Sequence, residues 1–266
     1  MTFADPSVPL LQRDGGPFNP YYVYYGGNAQ PEAVNGYRWW GDELEVYTTD
    51  RYSPAPFKSS VVANGVLSMI AQPKGTQYAG APQPYLSSCL ESSKGPFWDA
   101  PATRAARPGH EQKYGYWEAR MKVPKGKGLW PAFWLNGGVI NGQNNNKQGE
   151  LDIFEMIGDG VVYQTAHDWW GTHVAESTPF NPGWNHGADF HTYGLYWSPN
   201  EIVWYVDGVV TKRASTTMVA RYRDLCGPMF FVLNTSVGGA WPGSPDGTTP
   251  WPAVMDVDYV RVYALA

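Results

Sequence analysis

Three carboxylates lie within six residues of the sequence, at Glu150, Asp152 and Glu155, and the residues between them are mostly large and apolar. Such a stretch predicts a buried strand, in which successive side chains point to opposite faces. Glu150 and Asp152 then share one face, while Glu155 falls on the other. A β-bulge inserts one unpaired residue and re-aims the side chains that follow it. We therefore expect a bulge that returns Glu155 to the face of the other two acids.

Carboxylates at this spacing are suited to glycoside hydrolysis. Like charges repel, so the pKa of at least one carboxyl rises while a neighbour stays ionised, which separates an acid from a nucleophile. A retaining glycosidase uses two carboxyl groups about 5–5.5 Å apart, one to attack the anomeric carbon and one to protonate the leaving oxygen. Two other interpretations stay open, a cation site built from the same acids and an exposed polar strand edge. The large apolar neighbours disfavour the exposed edge.

The stretch resembles the Glu-x-Asp-x-x-Glu strand of glycoside hydrolase family 16, in its laminarinase-like branch. The lichenase branch has its acids one residue closer together and lacks the bulge. The likeness covers roughly residues 35–263, and it implies a concanavalin A-like jelly-roll β-sandwich with a concave substrate cleft. Further segments that resemble the family, in the family's order, are residues 114–122, 128–135, 189–197, 204–208 and 257–263.

The resemblance also implies roles for single residues. Glu150 corresponds to the nucleophile and Glu155 to the acid/base of a double displacement. Asp152 lies between them, where its charge helps to keep Glu155 protonated. His167 matches a family histidine that would lie near the acid/base. A structural role for His167 is an equal alternative, because a lone histidine is more often simply a satisfied structural residue.

Aromatic residues predict the substrate cleft. Trp130 and Trp134 are four residues apart, so on a regular strand they face the same way. The resemblance places this pair under the sugars that precede the cleaved bond. Trp241 resembles a cleft residue on a loop, and Asn234 is expected to bind a sugar hydroxyl. Residues 234–236 also form a glycosylation sequon, but the expected strand position argues against its use.

Length and composition favour one all-β domain. A chain of 266 residues suits a single sandwich, and 30 Gly and 23 Pro interrupt it at close intervals without long helical periodicity. Residues 1–34 are expected to form an N-terminal arm and residues 35–266 the catalytic domain. Residues 72–109 and 141–148 are expected to be long irregular loops at the cleft. Cys89 and Cys226 permit one disulfide but do not require it.

Charge and hydropathy exclude several partners. The formal net charge is -5 and no long basic run occurs, which argues against nucleic acid. No stretch approaches the roughly 20 apolar residues of a membrane helix. No secretory leader is visible at the start, so a removed leader, another export route and action where the protein is made are the alternatives. We expect the protein to act outside the cell, because its polymeric substrate is found there. We also expect it to be a monomer.

The expected activity is internal cleavage of β-1,3 or mixed β-1,3/1,4 glucan. A transglycosylase on the same fold, or a hydrolase of a galactan or a bacterial exopolysaccharide, is the alternative. A binding module would not need the three acids. No cofactor is expected for catalysis. The resemblance allows a structural calcium remote from the acids, with Asp258 as one oxygen ligand.

Overall fold

The computed structural model describes residues 41–48, 58–94, 109–137 and 148–265, which form two sheets packed face to face. The larger sheet has nine strands within these ranges: β1 (Glu45–Tyr47), β2 (Ser60–Ala63), β3 (Val66–Pro73), β4 (Tyr85–Ser87), β6 (Gly115–Lys122), β11 (His191–Trp197), β12 (Ile202–Val206), β13 (Val209–Arg213) and β15 (Ala253–Tyr263). The smaller sheet has six: β5 (Cys89–Glu91), β7 (Leu129–Gly137), β8 (Gly149–Glu155), β9 (Val162–Asp168), β10 (Val174–Phe180) and β14 (Met229–Val237).

Pairing is antiparallel except between β1 and β4. The smaller sheet has the order β10-β9-β8-β7-β14-β5, so the acidic strand β8 is central. The larger sheet has the order β1-β4-β3-β15-β6-β11-β12-β13, and β2 pairs with β3. The expected all-β sandwich is confirmed.

The core lies between the two sheets. In β6, buried residues alternate with partly exposed ones along the whole strand, as expected for a sheet with one face on the core and one toward water. Trp117, Trp197 and Trp204 are at most 1% exposed there. On β8, Leu151 and Ile153 face the same core, which leaves the opposite face of the strand to the acids.

The predicted bulge is present in β8. Toward β7, Trp134 pairs with Asp152 and Phe133 with Phe154, so Ile153 is the additional residue. The pairing of β8 with β9 shifts register between Asp152 and Glu155 as well. Because of this shift, Glu155 lines the same cavity as the other two acids.

Two contacts from outside the smaller sheet fix β8. The Trp204 indole N–H, from the larger sheet, donates to the carbonyl oxygen of Asp152 at 2.7 Å. On the helix α1 (Thr216–Leu225), the Tyr222 hydroxyl accepts from the Glu150 N–H at 2.9 Å and lies 2.7 Å from the Glu150 carbonyl oxygen. Gly149 makes this close approach of the helix feasible, because a Cβ there would lie 2.9 Å from the Tyr222 ring.

Some expectations need correction. Residues 72–109 are not wholly irregular, since β4 and β5 lie there and pair with β3 and β14. Cys89 and Cys226 are buried free thiols. The predicted arm at residues 1–34 and nearly all of the predicted loop at 141–148 lie outside the described residues. No helix in the described part of the chain is both long and apolar enough to cross a membrane.

Candidate active site

A cavity of about 270 Å³ opens on the outward face of the smaller sheet, over β7, β8 and β14. It brings together six of the residues singled out from the sequence, and Trp241 and His167 contact members of its lining. The lining residues are Glu43, Trp130, Ala132, Trp134, Glu150, Asp152, Glu155, Trp169, Asn234 and Ser236.

Glu150 is surrounded by hydrogen-bond donors. Its Oε2 accepts from the Trp169 indole N–H at 3.2 Å, and the Nε2 of His167 lies 3.8 Å from its Oε1. Donors and a positive charge both favour the ionised form of a carboxyl. These surroundings suit a carboxylate that acts as a nucleophile.

His167 lies beside Asp152 and Glu150, and its predicted nearness to Glu155 stays a prediction. It is opposite Glu150 in the pairing of β8 with β9, and its Nε2 is 3.2 Å from Asp152 Oδ2. Burial alone would lower the pKa of His167, but Asp152 and then Glu150 outweigh it and raise the pKa to about 9. His167 is therefore an imidazolium at neutral pH, and it offsets part of the negative charge.

The other ring nitrogen of His167 is also occupied. Its Nδ1 is 2.8 Å from His173 Nε2, so a protonated His167 donates and His173 accepts in its neutral form. Burial and the charge of His167 lower the pKa of His173, which is consistent with that neutral form. The His173 ring stacks on Trp169 at 3.6 Å with an interplanar angle of 7°. Trp169 is thus held between His173 and Glu150.

Glu155 has a different environment. Its Oε1 accepts from the Trp130 indole N–H at 3.0 Å. Burial, followed by the charges of Asp152 and Glu150, raises the pKa of Glu155 well above its usual range, and the Trp130 bond opposes this only in part. This shift favours the protonated form of Glu155, which a general acid requires.

Trp134 and Asn234 are more enclosed than the sequence predicted. Trp134 is 5% exposed and packs against Tyr47 and Phe230, so little of its ring is available for stacking on sugar. Its indole N–H donates to Asn234 Oδ1 at 2.8 Å. The Asn234 amide in turn donates to Tyr47 and Ser236. Asn234 is 3% exposed in β14, as expected for an unused sequon.

Trp241 is the exposed aromatic residue of the site. It is 42% exposed, and its ring meets Trp130 edge-on at 5.2 Å and Tyr163 at 5.0 Å. These three rings lie at the Glu155 end of the cleft and offer apolar faces to a sugar.

Two groups of described residues bear on the predicted cation sites. Ligand atoms of Glu150, Asp152 and His167 lie within 4.8 Å of one another, and a protonated His167 serves as the positive partner of the two acids there. Asp258 forms an ion pair with Arg120 at 2.8 Å through one carboxyl oxygen. The calcium-ligand role of Asp258 stays a prediction.

Three residues of the site were missed from the sequence. Glu43 precedes β1 and lines the cavity with a side chain that is 6% exposed. Trp169 and Tyr222 contact Glu150 from outside β8. Trp169 is two residues beyond His167 and one residue past the end of β9, so continuing the strand alternation from His167 was a signal that the sequence contained. Tyr222 is 72 residues from Glu150 and gave no such signal.

The geometry first defines a class: a jelly-roll β-sandwich whose central strand presents paired carboxylates to an aromatic cleft, as in glycoside hydrolases. The chain belongs to glycosyl hydrolases family 16, whose model matches residues 102–261.

Relatives agree with this assignment. The chain is 30% identical to a beta-glucanase of Rhodothermus marinus over 90% of its own length and 82% of the relative's. It is also 30% identical to the endo-1,3-1,4-beta-glycanase EglC of Rhizobium meliloti, over 99% of its length, and it spans about half (51%) of EglC. The laminarinase catalytic domain from Thermotoga maritima has the same fold, with a TM-score of 0.65, 33% identity and 84% of each chain covered.

Proposed function

We propose that this chain is a retaining endo-β-glucanase that cleaves internal β-1,3 or mixed β-1,3/1,4 linkages. The observation that carries the proposal is the pair Glu150 and Glu155, on one strand and facing one cavity, in opposite electrostatic surroundings. Membership of the family and the names of the relatives support the reaction type and the substrate class.

The reaction has two displacements. In the first, a carboxylate oxygen of Glu150 bonds to the anomeric carbon while Glu155 gives its proton to the departing glycosidic oxygen. In the second, Glu155 takes a proton from water, the water oxygen bonds to the anomeric carbon, and the ester to Glu150 breaks. Asp152 contributes a negative charge that keeps Glu155 protonated before the first step. The positive charge of His167 offsets part of the negative charge of Asp152 and Glu150.

The cavity lining favours a neutral polymer. It contains four carboxyl side chains and three tryptophans, and no Arg or Lys among the described residues. Sulfate or uronate groups bind to cationic side chains, and the acids of this cleft would repel them. A galactan with sulfate groups is therefore a weaker candidate than a glucan.

A substrate panel tests the proposal. Laminarin, barley β-glucan, agarose and carrageenan are incubated with the purified chain and with Glu150→Gln as the inactive control, and products are separated by chromatography. We expect oligosaccharides of several lengths from one or both glucans. Cleavage of agarose or carrageenan alone would contradict the substrate class, and products longer than the starting oligosaccharide would indicate transglycosylation.

Two expectations belong to the same proposal. We infer action outside the cell, because a long glucan does not cross a membrane. We also infer a monomer, which light scattering of the purified chain would check.

A further inference from the structure

Two buried carboxyl side chains lie beside the catalytic cleft and have no part in the mechanism above. Glu43 is 6% exposed and Glu45 is fully buried. Glu43 lines the cavity together with Trp134, Asn234 and Ser236, whereas Glu45 does not reach it. Burying an acid costs free energy unless the acid is paired and hydrogen-bonded. A buried pair of acids beside a cleft is therefore a candidate for a functional role.

The hydrogen bonds around the pair require a proton between the two acids. Glu45 Oε2 accepts from the Val237 N–H at 2.7 Å, but within the described part of the chain Glu45 Oε1 has no donor unless Glu43 supplies one. Burial, and then the charge of Glu45, raise the pKa of Glu43 well above its usual range. This shift favours a protonated Glu43, and a proton on Glu43 would give Glu45 Oε1 its missing donor.

The remaining oxygen of Glu43 belongs to a polar network on the cavity floor. The Tyr47 hydroxyl is 3.4 Å from Glu43 Oε2 and 2.8 Å from Ser236 Oγ. Asn234 donates to Tyr47 at 3.2 Å and to Ser236 at 3.0 Å. This network starts at the Trp134 indole N–H and ends at Glu43, so it orients the Glu43 carboxyl toward the open cavity.

We propose that Glu43 is a sugar-binding residue, whose carboxyl oxygen accepts a hydrogen bond from an uncharged hydroxyl of the polysaccharide in the half of the cleft over β14. Glu45 holds the proton of Glu43 and does not touch the sugar. The proposal rests on the proposed function and adds a subsite to it. A neutral acid accepts and positions a hydroxyl without adding a further charge to a cleft that already holds Glu150, Asp152 and Glu155.

The test compares Glu43→Leu, Glu43→Gln and Glu45→Gln, with binding of laminarihexaose measured by calorimetry in a Glu150→Gln background that cannot turn it over. We expect the Kd to rise about tenfold in Glu43→Leu and about threefold in Glu43→Gln, which keeps an amide oxygen. In Glu45→Gln the Kd changes less than twofold. The melting temperature at pH 7 should fall most in Glu43→Leu, which leaves Glu45 buried without its partner, and less in the two Gln variants, which keep a hydrogen-bonding side chain.

The controls separate the alternatives. An unchanged Kd in Glu43→Leu, or an equal rise in Glu45→Gln, would show that the pair only supports the fold and would overturn the inference. If Glu43→Leu does not fold, Glu43→Gln against Glu45→Gln gives the same comparison. The proposed function is tested separately, by the activity of the unmutated chain on glucan, and does not depend on the Kd of these variants. If the panel selects another polysaccharide, an oligosaccharide of that polymer replaces laminarihexaose.

Discussion

The two ends of the acidic strand show how one strand separates two chemical roles. At Glu150, an imidazolium on β9 and an indole N–H just past the end of β9 approach the carboxyl, and a tyrosine on α1 contacts the main chain. At Glu155, one indole N–H approaches, and burial and two neighbouring charges raise the pKa. The residues are of the same type and share a strand, so their different behaviour comes from their neighbours. The residues that surround the two glutamates therefore decide which one acts as the nucleophile and which as the acid.

The largest effect should come from removing each acid and adding azide. Glu150→Ala should lower kcat by a factor on the order of 10⁴ with every substrate. Glu155→Ala should lose about 10²- to 10⁴-fold with glucan but much less with an aryl glycoside whose leaving group needs no proton. Azide should restore both variants and give glycosyl azides of opposite anomeric configuration, read by proton NMR. Identical responses of the two variants would break the comparison.

A smaller effect is expected at the Glu155 end from Trp130→Phe. The Trp130 N–H favours the ionised form of Glu155, so its loss should raise the pKa of Glu155 further. Glu155 must be protonated to act, so activity is lost as pH rises through its pKa, and the basic limb of the kcat/KM profile should move to higher pH. The other charged groups facing Glu155 are Asp152 and Glu150.

Trp134→Phe is the matched control for that shift. The Trp134 N–H donates to the Asn234 amide and not to an acid. The basic limb of the kcat/KM profile of Trp134→Phe should therefore stay in place even if kcat/KM falls. A similar shift in both variants would mean that general loosening of the cleft moves the limb, and the specific effect of Trp130 would be refuted.

The smallest effect is expected at the Glu150 end from Trp169→Phe. Phenylalanine keeps a ring on His173 but loses the donor to Glu150, so attack on an activated aryl glycoside should slow about tenfold. The measurement is the rate of trapping by a 2-deoxy-2-fluoro aryl glycoside, which reports formation of the bond to the nucleophile. Trp184→Phe, at a tryptophan stacked on His191 outside the cavity, should leave that rate unchanged. Equal rates in all three proteins would show that the Trp169 bond does not orient Glu150.

The sequence predicted the sandwich, the acidic strand and its bulge because these follow from local spacing. The partners of His167 could not be predicted from local spacing, because the antiparallel register that pairs His167 with Glu150 is set by the folded sheet. The enclosure of Trp134 depends on Tyr47 and Phe230, which are far away in the chain. Glu43, whose neighbours Asn234 and Ser236 lie on another strand, could be recognised only after folding.

The bond from Trp204 to the carbonyl oxygen of Asp152 ties the reactive strand to the sheet on the other side of the core. This contact couples β8 to the larger sheet, so we expect β8 to keep its place on heating until the two layers come apart. Heat inactivation and loss of the folded sandwich are in that case a single event, and residual activity reports directly on the fraction of molecules still folded.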